Sequence, residues 1–557
     1  MMQASFLKTD PITVELVRNG LIAATKEMKT VLMRTAYNMI IYEALDFTVG
    51  LFDSEGQTIS IGLGLPMFMR GMSDTVKAKL RHFGLERIEP GDILLTNDSY
   101  ITGSHLNHPT FSLPVFHDGR IIAFATCMAH WIDIGGVLNG MTTDIFAEGI
   151  QIPIVKYHRA GVLNEDVRDF IRLNVRMPDR AMGDLEAQLS AIRAGARHVE
   201  GMIARHGVDA FLASIAAIKD HSEATARAQI AGMPDGIYEA DGFMDDDGVD
   251  LDRPVPLRVR VEIAGDEMTV DLSGCSPEVR GFYNSGAGEA CAHVAFRCLM
   301  LSQDFPINDG AYRALKVIVP PGTVVSARRP APMRVWMCYP MTIIDTIFKA
   351  LVPAVEDRVI AGHHADLMVA NVNGIHPRDG RMYLYLGGLI GGGWGAKSTE
   401  DGMCVTIPIN DGDTHNGPTE QVENKYPILI ERYALRPDSG GAGRFRGGLG
   451  AEHVAVALAP LTFNTRIDHV RNPPWGLKGG LPGAANQVAM RRADGAETVF
   501  PHGKNSVRLE AGEAYILRSG GGGGFGPPAQ RNPAAIENDL RQGYVTTDGV
   551  AAYDQPG

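Results

Sequence analysis

The sequence has no CxxC pair: its six cysteines (Cys127, Cys275, Cys291, Cys298, Cys338 and Cys404) are scattered along 557 residues. That excludes a zinc ribbon and a small disulfide framework, and makes a reducing cytoplasm the expected compartment. Positive charge is the scarcer sign, with 52 Lys plus Arg against 65 Asp plus Glu and a net charge of −13, which argues against a nucleic-acid partner. The apolar stretch from Ile121 to Ala129 falls far short of the roughly 20 residues that span a bilayer. Lys8 and Asp10 come too early for a signal peptide, so no membrane partner is expected. A charged fraction of 21% beside 45% hydrophobic residues excludes a disordered chain. There is no GxSxG elbow, no GxxxxGK[ST] loop and no GxGxxG between a strand and a helix, which sets aside a serine hydrolase and a nucleotide site. No period of 20 to 50 residues marks a repeat protein.

Glycine, at 64 residues, is abundant, and it clusters at 387–395 and 520–524 without a strict period. Such tracts imply close backbone approaches in a sheet or loop. Apolar spacing predicts an opening helix from Pro11 to Arg34, a hairpin from Phe47 to Ile61, a helix from Met72 to Phe83 and a short strand ending at Thr96. A second hairpin follows, from Thr110 to Met128, and then a helical middle broken near Pro178 and near His206 and Gly207. Asp245, Asp246, Asp247 and Gly248 read as an exposed turn. Strands are expected at 257–263, 267–272 and 314–319, with a further strand after Pro320, Pro321 and Gly322, and a helix at 286–300. Short β-type runs alternate with turns from 431 to 501. The expected class is α+β and multi-domain: a mixed α/β N-terminal part at 1–230 with the helical segment, a central α/β part at 231–380, and a Gly-rich, β-rich part at 381–557.

Two segments carry potential chemistry at apparent strand ends, Ser104-His105-Leu106-Asn107-His108 and Ala129-His130-Trp131-Ile132-Asp133, with Asp46 as a further carboxylate. Imidazole nitrogen with carboxylate oxygen suits a borderline divalent ion such as Zn, Mn or Fe, which would make water nucleophilic near neutral pH. Ordinary hydrogen-bonded histidines are the competing account, since the chain has 17. His363, His364 and Asp366 read as a satisfied buried network or outer support, and Asp411, Asp413 and His415 as a polar turn. Cys127, at the end of an apolar strand, reads as a buried small hydrophobe.

These motifs resemble the hydantoinase B/oxoprolinase family. The likeness runs through Asn97-Asp98, Gly103-Ser104-His105-Leu106, 129–136, Asn416-Gly417-Pro418-Thr419-Glu420, Tyr426-Pro427, Glu431-Arg432-Tyr433, 440–448 and Gly520 to Gly526, so it covers nearly the whole chain. It implies a hydantoinase A-type partner that binds ATP and Mg and phosphorylates a lactam or imide oxygen, and a hetero-oligomer. This chain would then direct water onto the activated carbon of a small cyclic amide. By the same likeness Asp46, His105, His130 and Asp133 are the metal or near-metal residues, His108 a reserve ligand, and His130 and Asp133 the catalytic pair. The segment Gly64-Leu65-Pro66-Met67-Phe68-Met69 departs from the family's usual histidines, which suggests a bulkier or less polar substrate. Two alternatives stand beside the cyclic amide hydrolase: a subunit of an ATP-dependent acetone- or acetophenone-type carboxylase, and a non-catalytic structural subunit.

Overall fold

The computed structural model describes residues 10–301, 306–387 and 389–554; Lys8 and Gly388 lie outside them. Helix Pro11–Thr35 begins where the Asp10 carboxylate accepts from the Thr13 amide and Pro11 occupies the first turn. Its stripe of Val17, Leu21, Ala24, Met28 and Leu32 is buried against helix Pro178–His206, which, as the broken periodicity implied, is followed across Gly207 by helix Val208–Ile230.

These helices cover an antiparallel sheet of seven strands in the order Thr58–Leu63, Phe47–Asp53, Arg120–Ala129, Thr110–His117, Ile93–Thr96, Val155–Arg159 and Val162–Leu163. Both expected hairpins are present. Register matters for the site, because Phe47 pairs with Ala129 and so sets Asp46 beside His130 just beyond the sheet. A second sheet, Leu315–Ile318, Glu267–Asp271, Val255–Ala264 and Gly236–Met244, packs on helix Cys338–Val355. That helix was not anticipated. With the turn after it, it is long and apolar enough to cross a membrane, yet 83% of the apolar window lies inside the fold, as a core helix should. Two further sheets, of four and five strands, build the C-terminal region.

Several boundaries differ from expectation. Helix Phe68–Phe83 starts before Met72, strand Gly236–Met244 was missed, and the stretch after Gly322 turns back with only an isolated pairing of Thr323 to Pro277. The expected exposed turn at Asp245, Asp246 and Asp247 is buried, with exposures of 2, 1 and 5%. Each carboxylate has a distant partner that the local sequence does not reveal: backbone amides at 470–472 for Asp245, Lys504 for Asp246, and the Gly281 amide for Asp247, which also accepts locally from Val249 and Asp250.

The glycine tracts are close-packed backbone. A Cβ on Gly522 would lie 1.9 Å from the Trp394 carbonyl oxygen, and one on Gly448 1.8 Å from that of Met403. Amides 521–526 all donate to backbone carbonyls, and that of Gly520 to Asn486, so none is left to cradle a phosphate. We expect Gly522→Ala to destabilise the protein by more than about 3 kcal/mol, seen as lost soluble expression or a lower thermal midpoint. Gly201→Ala, in a helix with open space around the added carbon, should instead stabilise by up to about 1 kcal/mol.

Candidate functional site

The loop carrying His105 and His108 follows the short helix Ser99–Thr102. Asn97 anchors it by donating from Nδ2 to the carbonyls of Leu106 (2.8 Å) and Ile150 (2.9 Å). Asn107 joins it to the second segment: its Nδ2 donates to the Trp131 carbonyl at 2.7 Å, and the Trp131 amide donates to the Asn107 carbonyl at 2.8 Å. On the other side the His130 amide donates to the Asp46 carbonyl at 3.0 Å. The turn before Asp46 is tight, with Leu45 held at φ +56°, an uncommon state for a residue with a branched side chain.

Asp46, His105, His108 and His130 are thereby brought together. The ring centroids of His105, His108 and His130 lie 4.4, 5.0 and 5.2 Å apart in pairs. His108 is fixed at both nitrogens, with Nε2 3.0 Å from Asp46 Oδ1 and Nδ1 3.1 Å from Ser104 Oγ. Phe68 and Trp336 wall it from behind. His105 Nδ1 lies 3.0 Å from the Arg334 carbonyl oxygen. A carbonyl only accepts, so Nδ1 carries the proton and the buried, partnerless Nε2 of the neutral ring holds a lone pair. Nδ1 of His130 is likewise buried without a partner.

Burial, reinforced by the neighbouring imidazoles, holds His105 far below the usual histidine range; burial also dominates at His130, which it lowers to about 3. For Asp46 burial acts to raise the carboxyl, but the adjoining His108 and its hydrogen bond, with His130, outweigh it and keep the group ionised. Asp133 borders the same cleft but is committed elsewhere. Its oxygens accept from the amides of Gly135 (3.1 Å), Arg176 and Met177 (3.1 Å) and from the Arg176 guanidinium (3.0 Å). That engagement makes it an organiser of the 133–136 turn.

A cleft with a cavity volume of about 90 Å³ lies in front of the cluster and opens to solvent. Asp46, His105 and His130 line it; Asn107, Arg176, Arg334 and Arg466 supply further polar groups, and Ile40, Ile132, Val335, Met337, Leu384 and Leu389 much of the apolar wall. None of 64–69 lines it, so the apolar departure there supports His108 and does not widen the cleft. Arg334 and Arg466 were missed by sequence reasoning. The available signal was a lone arginine inside the apolar run 332–339 and another closing the buried strand Leu461–Arg466.

The donor set, three imidazoles and an ionised carboxylate with two ring nitrogens left without partners, fits a borderline divalent cation. As the side chains stand, no group of three or more His, Cys, Asp or Glu among the described residues is already arranged around a common point. The reason is visible in His108, whose Nε2 is occupied by Asp46.

The family model for hydantoinase B/oxoprolinase matches residues 10–528. The chain belongs to that family. It is 33% identical to the caprolactamase subunit beta of Pseudomonas jessenii over 97% of this chain and 95% of that protein. The crystal structure of the ATP-dependent caprolactamase from the same organism superposes with a TM-score of 0.89 at 30% identity, covering 97% of this chain and 95% of that one. The 5-oxoprolinase 1 of Arabidopsis thaliana is 26% identical over 93% of this chain, which spans 42% of that longer protein. These matches agree with the resemblance read from the motifs.

The other two histidine-containing segments are separate from the cleft lining. His363 Nδ1 is held by Asp345 Oδ1 at 3.0 Å, whereas His364 is fully buried with both ring nitrogens unpartnered. Asp411 is 3% exposed, where an open polar turn was expected, and burial drives its carboxyl well above the usual range. Cys127 is buried, and burial raises its thiol to about 12, as befits an inert core residue. Burial lowers His364 to about 3, so between about pH 6.5 and 3 the unfolded chain takes up a proton there that the folded chain does not. Stability should therefore fall as pH falls through that window. Urea titrations of wild type and His364→Gln should show the variant gaining on wild type by about 1.4 kcal/mol per pH unit of acidification.

Proposed function

We propose that this chain is the B-type subunit of an ATP-dependent cyclic amide hydrolase, acting with a hydantoinase A-type partner. The partner would bind ATP and Mg and phosphorylate the carbonyl oxygen of a small lactam or imide. Chemically this is needed because an unstrained amide is a poor electrophile, whereas its imidate phosphate carries a good leaving group. The observation that carries the reading is a neutral, buried His105 with a free Nε2 lone pair beside His130 and an ionised Asp46, in a partly apolar cleft. The names of the caprolactamase relatives point the same way.

His105 Nε2 and His130 are the groups able to take a proton from an attacking water; both stay neutral at pH 7, so the basic form is the resting form. Asp46 orients His108 through Nε2 and supplies the negative charge of the cluster. A divalent cation held by Asp46, His105 and His130, with His108 joining only if its Nε2 left Asp46, would add Lewis acidity to the cleft and take up the ring lone pairs that otherwise accept the proton. Asp133, with its oxygens engaged, positions Arg176 and the following turn.

The test is ATP-dependent lactam opening by the complex of this chain with its partner, alongside metal analysis of the purified chain. We expect His105→Ala/His130→Ala to lose turnover by at least about 100-fold and to lose near-stoichiometric Zn, Mn or Fe. Unchanged turnover in that variant would sink the assignment and favour a structural subunit; incorporation of bicarbonate carbon would favour a carboxylase.

A further inference from the structure

We propose that Arg334 and Arg466 form an oxyanion subsite in the cleft, receiving a carboxylate or phosphoryl group carried by the substrate. The inference rests on the cleft being the substrate site of the proposed hydrolase. Both arginines line the same cleft as His105 and His130. Among the described residues neither closes an ion pair with a carboxylate within 4.0 Å, although guanidinium groups this enclosed are ordinarily paired.

Arg466 is 3% exposed. Its Nη1 donates to the Asn139 carbonyl at 2.5 Å, and its Nε is buried with no partner. The approach is built into the backbone: Gly140 sits at φ +65°, and a Cβ there would come within 2.3 Å of Nη1. Arg334 Nη1 donates to Asn107 Oδ1 (3.2 Å) and to the Glu148 carbonyl (2.9 Å), so it too meets only neutral oxygens.

The nearby carboxylates are engaged elsewhere. Glu148 Oε1 accepts from Thr142 Oγ1 and the Met333 amide, both at 2.8 Å, and although its charge acts on Arg334 its carboxylate makes no ion pair within 4.0 Å; Asp133 serves Arg176, and Asp46 serves His108. Burial and then the neighbouring Arg334 lower Arg466 to about 10, which is consistent with two like charges sharing one enclosure and leaves Arg466 charged at neutral pH. Asn371, whose Oδ1 is buried without a partner, borders the same space and can donate through its amide nitrogen. Paired guanidiniums with a spare donor fit the forked geometry of a carboxylate or phosphate.

The two sources of that oxyanion are separable by calorimetric titration of the purified full chain at constant ionic strength, using inorganic phosphate, 2-pyrrolidone and 2-pyrrolidone-5-carboxylate. Tighter binding of the carboxylate lactam than of 2-pyrrolidone by at least about 10-fold assigns the subsite to the substrate's own carboxylate. Binding of phosphate without that preference assigns it to the phosphoryl group added on activation. In either case Arg466→Gln should weaken anion binding by at least about 10-fold, and Arg466→Lys, which keeps the charge but not the fork, by less. If the glutamine variant does not fold, the lysine variant and Arg334→Lys carry the same comparison. Failure of wild type to bind either anion, or binding unchanged in all three variants, overturns the subsite. Anion binding in a chain whose complex opens no lactam would instead sink the hydrolase reading and leave the subsite standing.

Discussion

The buried ion triad of Asp246, Lys504 and Asp468 is the interaction on which the cleft depends. Lys504 Nζ lies 3.0 Å from Asp246 and 2.9 Å from Asp468, with side-chain exposures of 2, 2 and 0%. Burial works against the ammonium, but the two carboxylates outweigh it and hold the lysine charged. Such a set contributes little net stability over an apolar replacement, yet removing one partner costs about 3–5 kcal/mol because the remainder is stranded. Its effect is therefore positional. Asp468 also accepts from the Asp245 amide, and Asp245 accepts from the amides of Val470, Arg471 and Asn472, which fastens the second sheet to the strand that ends at Arg466.

From that docking the composition of the cleft follows. Asp46, His105 and His130 come from the first sheet, Arg334 from the segment before helix Cys338–Val355, and Arg466 from the end of a C-terminal strand. No one of these regions holds the full polar set. The Arg334 backbone carbonyl fixes the tautomer of His105, so the central region sets the protonation state of a side chain in the first. The close-packed glycine backbone around 520–526 is equally a matter of position. With no side chains between them, segments near 393, 440 and 475 lie at backbone distance from it and frame the C-terminal sheets.

What was legible in the sequence was mostly local. The 3.6-residue spacing of Val17, Leu21, Met28 and Leu32 and the alternation around the two hairpins are properties of single segments, and the structure has those elements where the spacing puts them. The His105, His108, His130 and Asp46 grouping was accessible because the segments flank paired strands at one edge of the register: Asp46 just before Phe47–Asp53, His108 just before Thr110–His117 and His130 just after Arg120–Ala129. Asp245 to Asp247 failed for the opposite reason. Four successive polar or small residues have the composition of a solvated turn, and the burial of Asp245 and Asp246 is explained only by the 470–472 amides and Lys504, more than 200 residues away. Asp133 shows the same limit: its residue type and place suit a ligand, but whether an oxygen is free depends on Arg176, which no spacing rule links to it.

The cleft also combines charges that no one region of the chain would supply alone. His105 and His130 are neutral beside the ionised Asp46, and in the same enclosure the guanidiniums of Arg334 and Arg466 hydrogen-bond only to neutral oxygens. Because the enclosure is poorly solvated, each of these fields acts at greater strength than it would in water. A substrate that carries an anionic group as well as the reacting carbon offers these guanidiniums an ion-pair partner, whereas one that is neutral throughout offers none. In the proposed chemistry the phosphoryl group supplies such an anion even to a lactam that has none. Activation by the partner would then serve binding as well as reactivity, because the group that makes the carbonyl electrophilic also matches the cationic side chains of the cleft.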